Sequence, residues 1–215
     1  WTRRHVNGAY VVLLTAASIF VWTVGYSLEI SGRDLETKYF WGVIQYIGIA
    51  FAPYGWFVFS VVYGRQLKDS SRRAIALAAI VPLITVVLAL TTKWHGLIWS
   101  EYHINQQGDF SAIKPSYGLW FWVHLTYSYV ALLSGTFLLV RVLRSRQEGM
   151  YRGQIIALLI AVLAPWIGNA LYITGNSPIP HLDLTPFAFT ITIAAVALAI
   201  LGFHFVDLAP LARDV

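Results

Sequence analysis

Six apolar runs leave this chain little choice of fold. They fall at roughly 6–29, 39–63, 74–90, 117–140, 154–174 and 186–205, against the 20 or so residues that an α-helix needs to cross the hydrocarbon of a bilayer. Only 12% of the residues are charged and 58% are hydrophobic, where soluble globular chains carry about 25% charge. The expected fold class is all-α: a polytopic membrane helix bundle, one transmembrane domain over residues 1–215. The run at 74–90 is the shortest, and Pro82 within it removes a backbone N–H and should kink the helix.

Lysine and arginine set the orientation. The flanks at the N-terminus, 64–73, 141–152 and the C-terminus hold eleven of them, Arg3, Arg4, Arg65, Lys68, Arg72, Arg73, Arg141, Arg144, Arg146, Arg152 and Arg213. The alternate loops hold Arg33, Lys38, Lys93 and Lys114. Basic residues stay on the cytoplasmic side, so both ends of the chain are expected in the cytoplasm, in a multi-pass protein of the inner (cytoplasmic) membrane. The basic residues sit in short inter-helix clusters, which argues against a nucleic-acid partner. The partner that composition does imply is the lipid bilayer.

The longest loop, 91–116, is too long for a simple connector. Its halves LIWSEYHI and DFSAIKP flank the turn-like NQQG, so a short extracytoplasmic β-hairpin is expected at about 94–116. Aromatics there sit at the membrane interface on the plainer reading; on the sharper one His95 and Trp99 belong to a lid over a ligand.

Polar residues inside the spans recur at one depth. By the helical rise, Gln45, His124 and Asn169 each lie about 9–10 Å inside the outer end of their helices. Each also shares a face with small residues: Gln45 with Gly48, Ala52 and Gly55; His124 with Ser128, Ala131 and Gly135; Asn169 with Ala157, Ala161 and Pro165. Small faces allow close helix approach and so point into a bundle. Glu29 and Asp183 sit at the rim above, and Trp120, Tyr127, Trp166 and Tyr172 can supply apolar walls. Two readings stand. The polar groups hydrogen-bond one another between helices and bind nothing, or they line an outward-facing pocket for a small molecule, with Glu29, Gln45, His124, Tyr127, Trp166, Asn169, Tyr172 and Asp183 as its ligand-binding residues.

Several chemistries lose their residues. There is no cysteine, which excludes disulfides and thiol catalysis. All four lysines are in loops, so no buried amine is available for a Schiff base. No carboxylate lies mid-span, which weakens proton-coupled transport. His95, His103, His181, Asp183 and Glu101 share one side of the membrane, yet no tight spacing joins them. No metal, no cofactor and no catalytic residue is expected.

The chain resembles the N-terminal seven-transmembrane region of membrane sensor histidine kinases. The matching pieces are WTRRH at the start, WTVGYSLE at 22–29, QYIGIAFAPYGWFVFSVVYGR at 45–65, TTKWHGLIW at 91–99, YGLWFWVHLTYSY at 117–129, YRGQ at 151–154, APWIGNALY at 164–172, LDLTPFAF at 182–189 and the closing VDLAPLARDV. No piece is diagnostic alone, but their order and spacing together are fairly specific. The resemblance implies that the first of seven helices is missing upstream, leaving six here. It implies a sensor in two-component signal transduction whose ending leads into PAS and kinase modules that run a phosphorelay. Taken with the polar layer, the expectation is a small ligand or a membrane state sensed in the outer pocket, with the last helix relaying it through Asp207, Pro210 and Arg213. The resemblance also implies a homodimer, and no enzyme activity within these 215 residues. The alternative reading is a small-molecule permease or a quinone-binding membrane protein, although no continuous polar path leads inward from the polar layer.

Overall fold

In a computed structural model of the chain, the described residues are 3–63, 69–105, 111–145, 149–179 and 182–192. They form α1 (Arg3–Ser31), α2 (Leu35–Tyr63), α3 (Asp69–Ala78), α4 (Ile80–Leu90), the single turn α5 (Thr92–His95), β1 (Trp99–Asn105), β2 (Ala112–Tyr117), α6 (Leu119–Ser145) and α7 (Gly149–Ile173). A further helix, α8, runs from 185 to the last described residue, 192. The all-α bundle with one small hairpin is therefore what the chain forms. Among the described residues, four helical stretches have the length and apolar character to cross a membrane, Tyr10–Ser31, Leu35–Val62, Arg72–Leu90 and Leu119–Arg141, and Leu159–Ile173 is a shorter apolar helix.

The chain divides into two compact units, Trp1–Leu139 with Pro178–Leu182, and Val140–Ser177 with Asp183–Val215. In the first, α1 and α2 are joined by three residues and pack closely through glycines, Gly25 of α1 and Gly48 and Gly55 of α2. A Cβ on Gly48 would stand 2.2 Å from the Ser18 carbonyl oxygen, and one on Gly55 2.3 Å from the Thr15 hydroxyl. No side chain fits there, so the small face of α2 is what lets the two backbones meet. Asp34 starts α2: its Oδ1 accepts the Thr37 N–H at 2.8 Å and its Oδ2 accepts the Thr37 hydroxyl at 2.8 Å. That pair of bonds caps the helix, and the Thr37 N–H, followed by its hydroxyl, holds the Asp34 carboxyl below the usual carboxylate range.

The third span is interrupted where Pro82 predicts, but three residues earlier, at the turn residue Ala79. Proline has no N–H for the carbonyl four residues before it, which here is that of Ala78. The Tyr127 hydroxyl donates to Ala78 O at 2.7 Å instead. On α6 as far as Leu139, the stripe His124, Ser128, Ala131, Gly135 and Leu139 is buried, while Trp122, Val130, Leu133 and Phe137 are exposed. That is the pattern of a helix with one face on protein and one face on lipid. Trp56 of α2 lies against Gly135, its indole N–H donating to Thr136 Oγ1 at 3.3 Å.

The second unit repeats the proline device. Pro165 inside α7 leaves the Ala161 carbonyl without its helical donor, and the Thr192 hydroxyl of α8 donates to it. Alternate sides of α7 separate cleanly, with Ala161, Pro165 and Gly168 buried and Ile160, Leu163 and Ile167 exposed. The helix ends in a left-handed glycine cap: Gly175 has φ +73°, its N–H donates to Tyr172 O at 3.1 Å, and the Asn176 N–H donates to Leu171 O at 2.8 Å. Those paired bonds satisfy the last carbonyls of the helix.

Candidate functional site

The hairpin is fastened to the ends of α1 and α2 by buried polar side chains. Glu29, in the last turn of α1, is 5% exposed. Its Oε2 accepts the Gln45 amide of α2 at 2.5 Å, and its Oε1 accepts the backbone N–H of Ile113 in β2 at 3.4 Å. Lys38, on the first turn of α2, has no exposed surface at all. Its ammonium donates to the carbonyls of Glu29 at 2.9 Å, Ile30 at 3.2 Å and Ser111 at 2.5 Å. Three oxygens take up its three hydrogens. Two of them belong to the C-terminal turn of α1, where unsatisfied carbonyls carry partial negative charge; the third is the base of β2. The Glu29 carboxylate also attracts the ammonium electrostatically.

Trp99 completes this end of the bundle. Its indole lies against Gly42, where a Cβ would come within 2.6 Å of the ring, and its N–H donates to the Tyr46 hydroxyl at 3.0 Å. Tyr39 and Tyr102 stack at 4.7 Å between ring centres, and Val43, Ile98 and Ile113 fill the space beneath. Trp99 is thus core, packed between hairpin and α2. Trp94 is 85% exposed. His95 is exposed and occupied locally, paired with the Thr91 hydroxyl at 3.0 Å and accepting the Leu97 N–H at 3.0 Å.

His124 belongs to a second, separate network. The ring is buried, with Nδ1 3.3 Å from the Thr85 hydroxyl of α4 and Nε2 3.3 Å from the Ser128 hydroxyl. Thr85 also donates to Val81 O at 2.8 Å and accepts the Trp120 indole N–H at 2.9 Å. A hydroxyl has one hydrogen. Since that of Thr85 goes to Val81, the accounting assigns the ring hydrogen to Nδ1, donating to Thr85, and makes Nε2 the acceptor for Ser128. Tyr127, on the same helix, faces Ala78 through its hydroxyl and lies beside the His124 ring at 6.3 Å.

Gln45 and His124 therefore bond to different partners, Glu29 in one case and Thr85 with Ser128 in the other. Trp166, Asn169 and Tyr172 are half-buried on α7, in the second unit. Asp183 is buried just ahead of α8. Its Oδ1 accepts the Thr185 N–H at 2.9 Å and the Thr185 hydroxyl at 2.5 Å. Burial pushes its carboxyl up to about 6, against the opposing pull of the two Thr185 bonds. Asp207, Pro210 and Arg213 lie outside the described residues, as does His181. The residues that sequence reading missed are Lys38 and Thr85. In the sequence Lys38 has only the pattern of a basic loop residue, whereas it lies within α2, and a lone threonine in an apolar run carries no pattern.

Residues 1–210 match the family model of the N-terminal 7TM region of histidine kinase. The chain belongs to that family. No curated protein matches it. No solved structure matches it either. This 7TM region is therefore a multi-pass membrane sensor segment of the histidine-kinase class, the input part of such a protein and not its catalytic part. Membership covers nearly the whole chain, and it accounts for the apolar spans.

Proposed function

We propose that this 7TM region receives a stimulus at its hairpin end, facing the outside of the inner membrane, and passes it across the bilayer to cytoplasmic PAS and kinase modules in cis, as part of a homodimer. The stimulus is a small molecule or a state of the membrane itself. In the first unit it acts on the surroundings of Glu29, Gln45, His124 and Tyr127, with His95 and Trp99 in the hairpin segment of that unit; in the second unit the ligand-binding residues are Trp166, Asn169, Tyr172 and Asp183, and the signal leaves through the last span by way of Asp207, Pro210 and Arg213.

The observation that carries this reading is the Glu29–Lys38 fastening. Both side chains are buried; Glu29 bonds the backbone of β2 and Lys38 that of Ser111, the residue leading into it, so a displacement of the hairpin must strain α1 and α2 together. A stimulus can shift an equilibrium only by binding two arrangements unequally, and a hairpin tied to two membrane helices offers two such arrangements. The test uses E29Q and H124A in the full-length receptor, with phosphorylated response regulator as readout and receptor amount held equal by immunoblot. Basal output should move about five-fold or more in at least one variant, a shift of about 1 kcal/mol in the signalling equilibrium. Output identical to the parent in both would overturn the reading.

A further inference from the structure

A two-stranded sheet has two outer edges, and this hairpin treats them differently. The β2 edge is closed by side chains: Ser111 O accepts the Lys38 ammonium and the Ile113 N–H is taken by Glu29. The next residue on that edge, Pro115, has no N–H to satisfy. Backbone groups alternate sides along a strand, so 111, 113 and 115 face outward and the even-numbered residues face β1. Two further bonds obey the same alternation, Ser100 Oγ donating to Ser116 O at 3.1 Å and Gly118 N–H donating to Ile98 O at 2.9 Å.

The register pairs Tyr102 with Pro115 and Ile104 with Ile113. The outward groups of β1 are therefore the N–H and C=O of Tyr102 and Ile104, and none of the described residues bonds them there. The side chains around that edge are patterned by charge. Tyr102 stacks inward on Tyr39, while Glu101 and His103 stand on the exposed face, with Lys114 directly across from His103. One end of the short edge is acidic and the other is a pair of basic side chains.

We propose that the outer edge of β1 is a self-association surface, on which a second copy of this chain adds its own β1 antiparallel, centred on Tyr102. The proposal rests on the homodimer of the preceding reading and names its contact at the hairpin end. In this register the two Tyr102 residues exchange both backbone bonds. Glu101 of each copy then faces His103 of the other in the closer, non-hydrogen-bonded type of pair, where Cα atoms stand about 4.5 Å apart. Each carboxylate also approaches the other copy's Lys114. Opposite charges directly across strands stabilise pairing and like charges oppose it. A register centred on His103 would set the two imidazoles against each other, so charge selects the first. The bulge at Ser100 confines the added ladder to the few residues around Tyr102, as expected of an edge that must pair with one partner and not propagate.

The 215 residues contain no cysteine, so a disulfide within this region can come only from the introduced pair. Two differently tagged copies of the full-length chain, one E101C and one H103C, are co-expressed and mildly oxidised in native membranes. The mixed disulfide should exceed either self-disulfide by about five-fold, given the closeness of directly opposed residues. E101K should lower the dimer fraction seen by chemical cross-linking through the helices, and E101K/H103E should restore it. Self-disulfide of H103C alone overturns the register. A dimer that persists with no trapped disulfide and no response to E101K overturns the edge contact while leaving the receptor reading intact. A monomeric full-length protein overturns both the contact and the dimer.

Discussion

Glu29, Gln45 and Lys38 meet where two helix ends and a strand converge, whereas Thr85, His124 and Ser128 meet inside the contact of two helices. The first cluster carries formal charges and spends them on backbone: the ammonium on three carbonyls, the carboxylate on an amide side chain and a strand N–H. The second is built from hydroxyls, an indole and an imidazole whose hydrogens can be assigned without any charge. Charge suits the place where helix dipoles end and chain segments must be tied. Neutral bonds suit the place where lipid and apolar side chains surround the group, because a buried charge without a partner costs several kcal/mol. The same kind of residue, polar and facing inward, therefore fastens in one region and fills in the other.

That contrast can be broken by mutation. K38M removes the ammonium and leaves three carbonyls without their donor beside a buried carboxylate. Loss of about 3–5 kcal/mol is expected for stranding one member of such a pair, read as a large fall in thermal stability in detergent, with K38R recovering part of it. A K38M protein as stable as the parent would mean that the outer cluster ties nothing. T85V, which keeps shape and deletes the shared hydroxyl, leaves the Trp120 and His124 donors unsatisfied. The expected cost is about 1–3 kcal/mol, with Trp120 fluorescence shifting as its indole loses the bond. If T85V costs as much as K38M, the distinction between charged and neutral clusters fails.

The smallest effect is the most specific. Y127F should cost about 0.6 kcal/mol, the scale of hydrogen bonds between membrane helices. P82A restores a backbone N–H for Ala78 O, so Y127F should cost nothing further in the P82A background. Additive losses in that double-mutant cycle would show that the tyrosine and the proline do not share one carbonyl.

The same division runs through what could be read in advance. Helix positions were legible because apolar length is a one-dimensional property: α1, α2, α6 and α7 begin and end within about five residues of the apolar runs, as helix ends commonly do. The hairpin was legible from turn residues between two β-prone halves. The buried faces of α2 and α6 followed from small residues at helical spacing. Partners were not legible. Nothing in the spacing of Gln45 and His124 says that one turns to Glu29 and the other to Thr85, and the charge count that gave Lys38 a topological role concealed its full burial.

The sequence by itself determined that this is a membrane bundle, which faces of its helices carry small residues, and where Pro82 and Pro165 would strip a helix of a hydrogen bond, since all of these depend on local composition and chain geometry. Only the tertiary structure decided who answers each exposed demand: Tyr127 for Ala78, Thr192 for Ala161, Lys38 for the end of α1. A hydrogen bond between residues 31 or 49 positions apart is fixed by how helices pack in three dimensions, and a linear pattern carries no record of that.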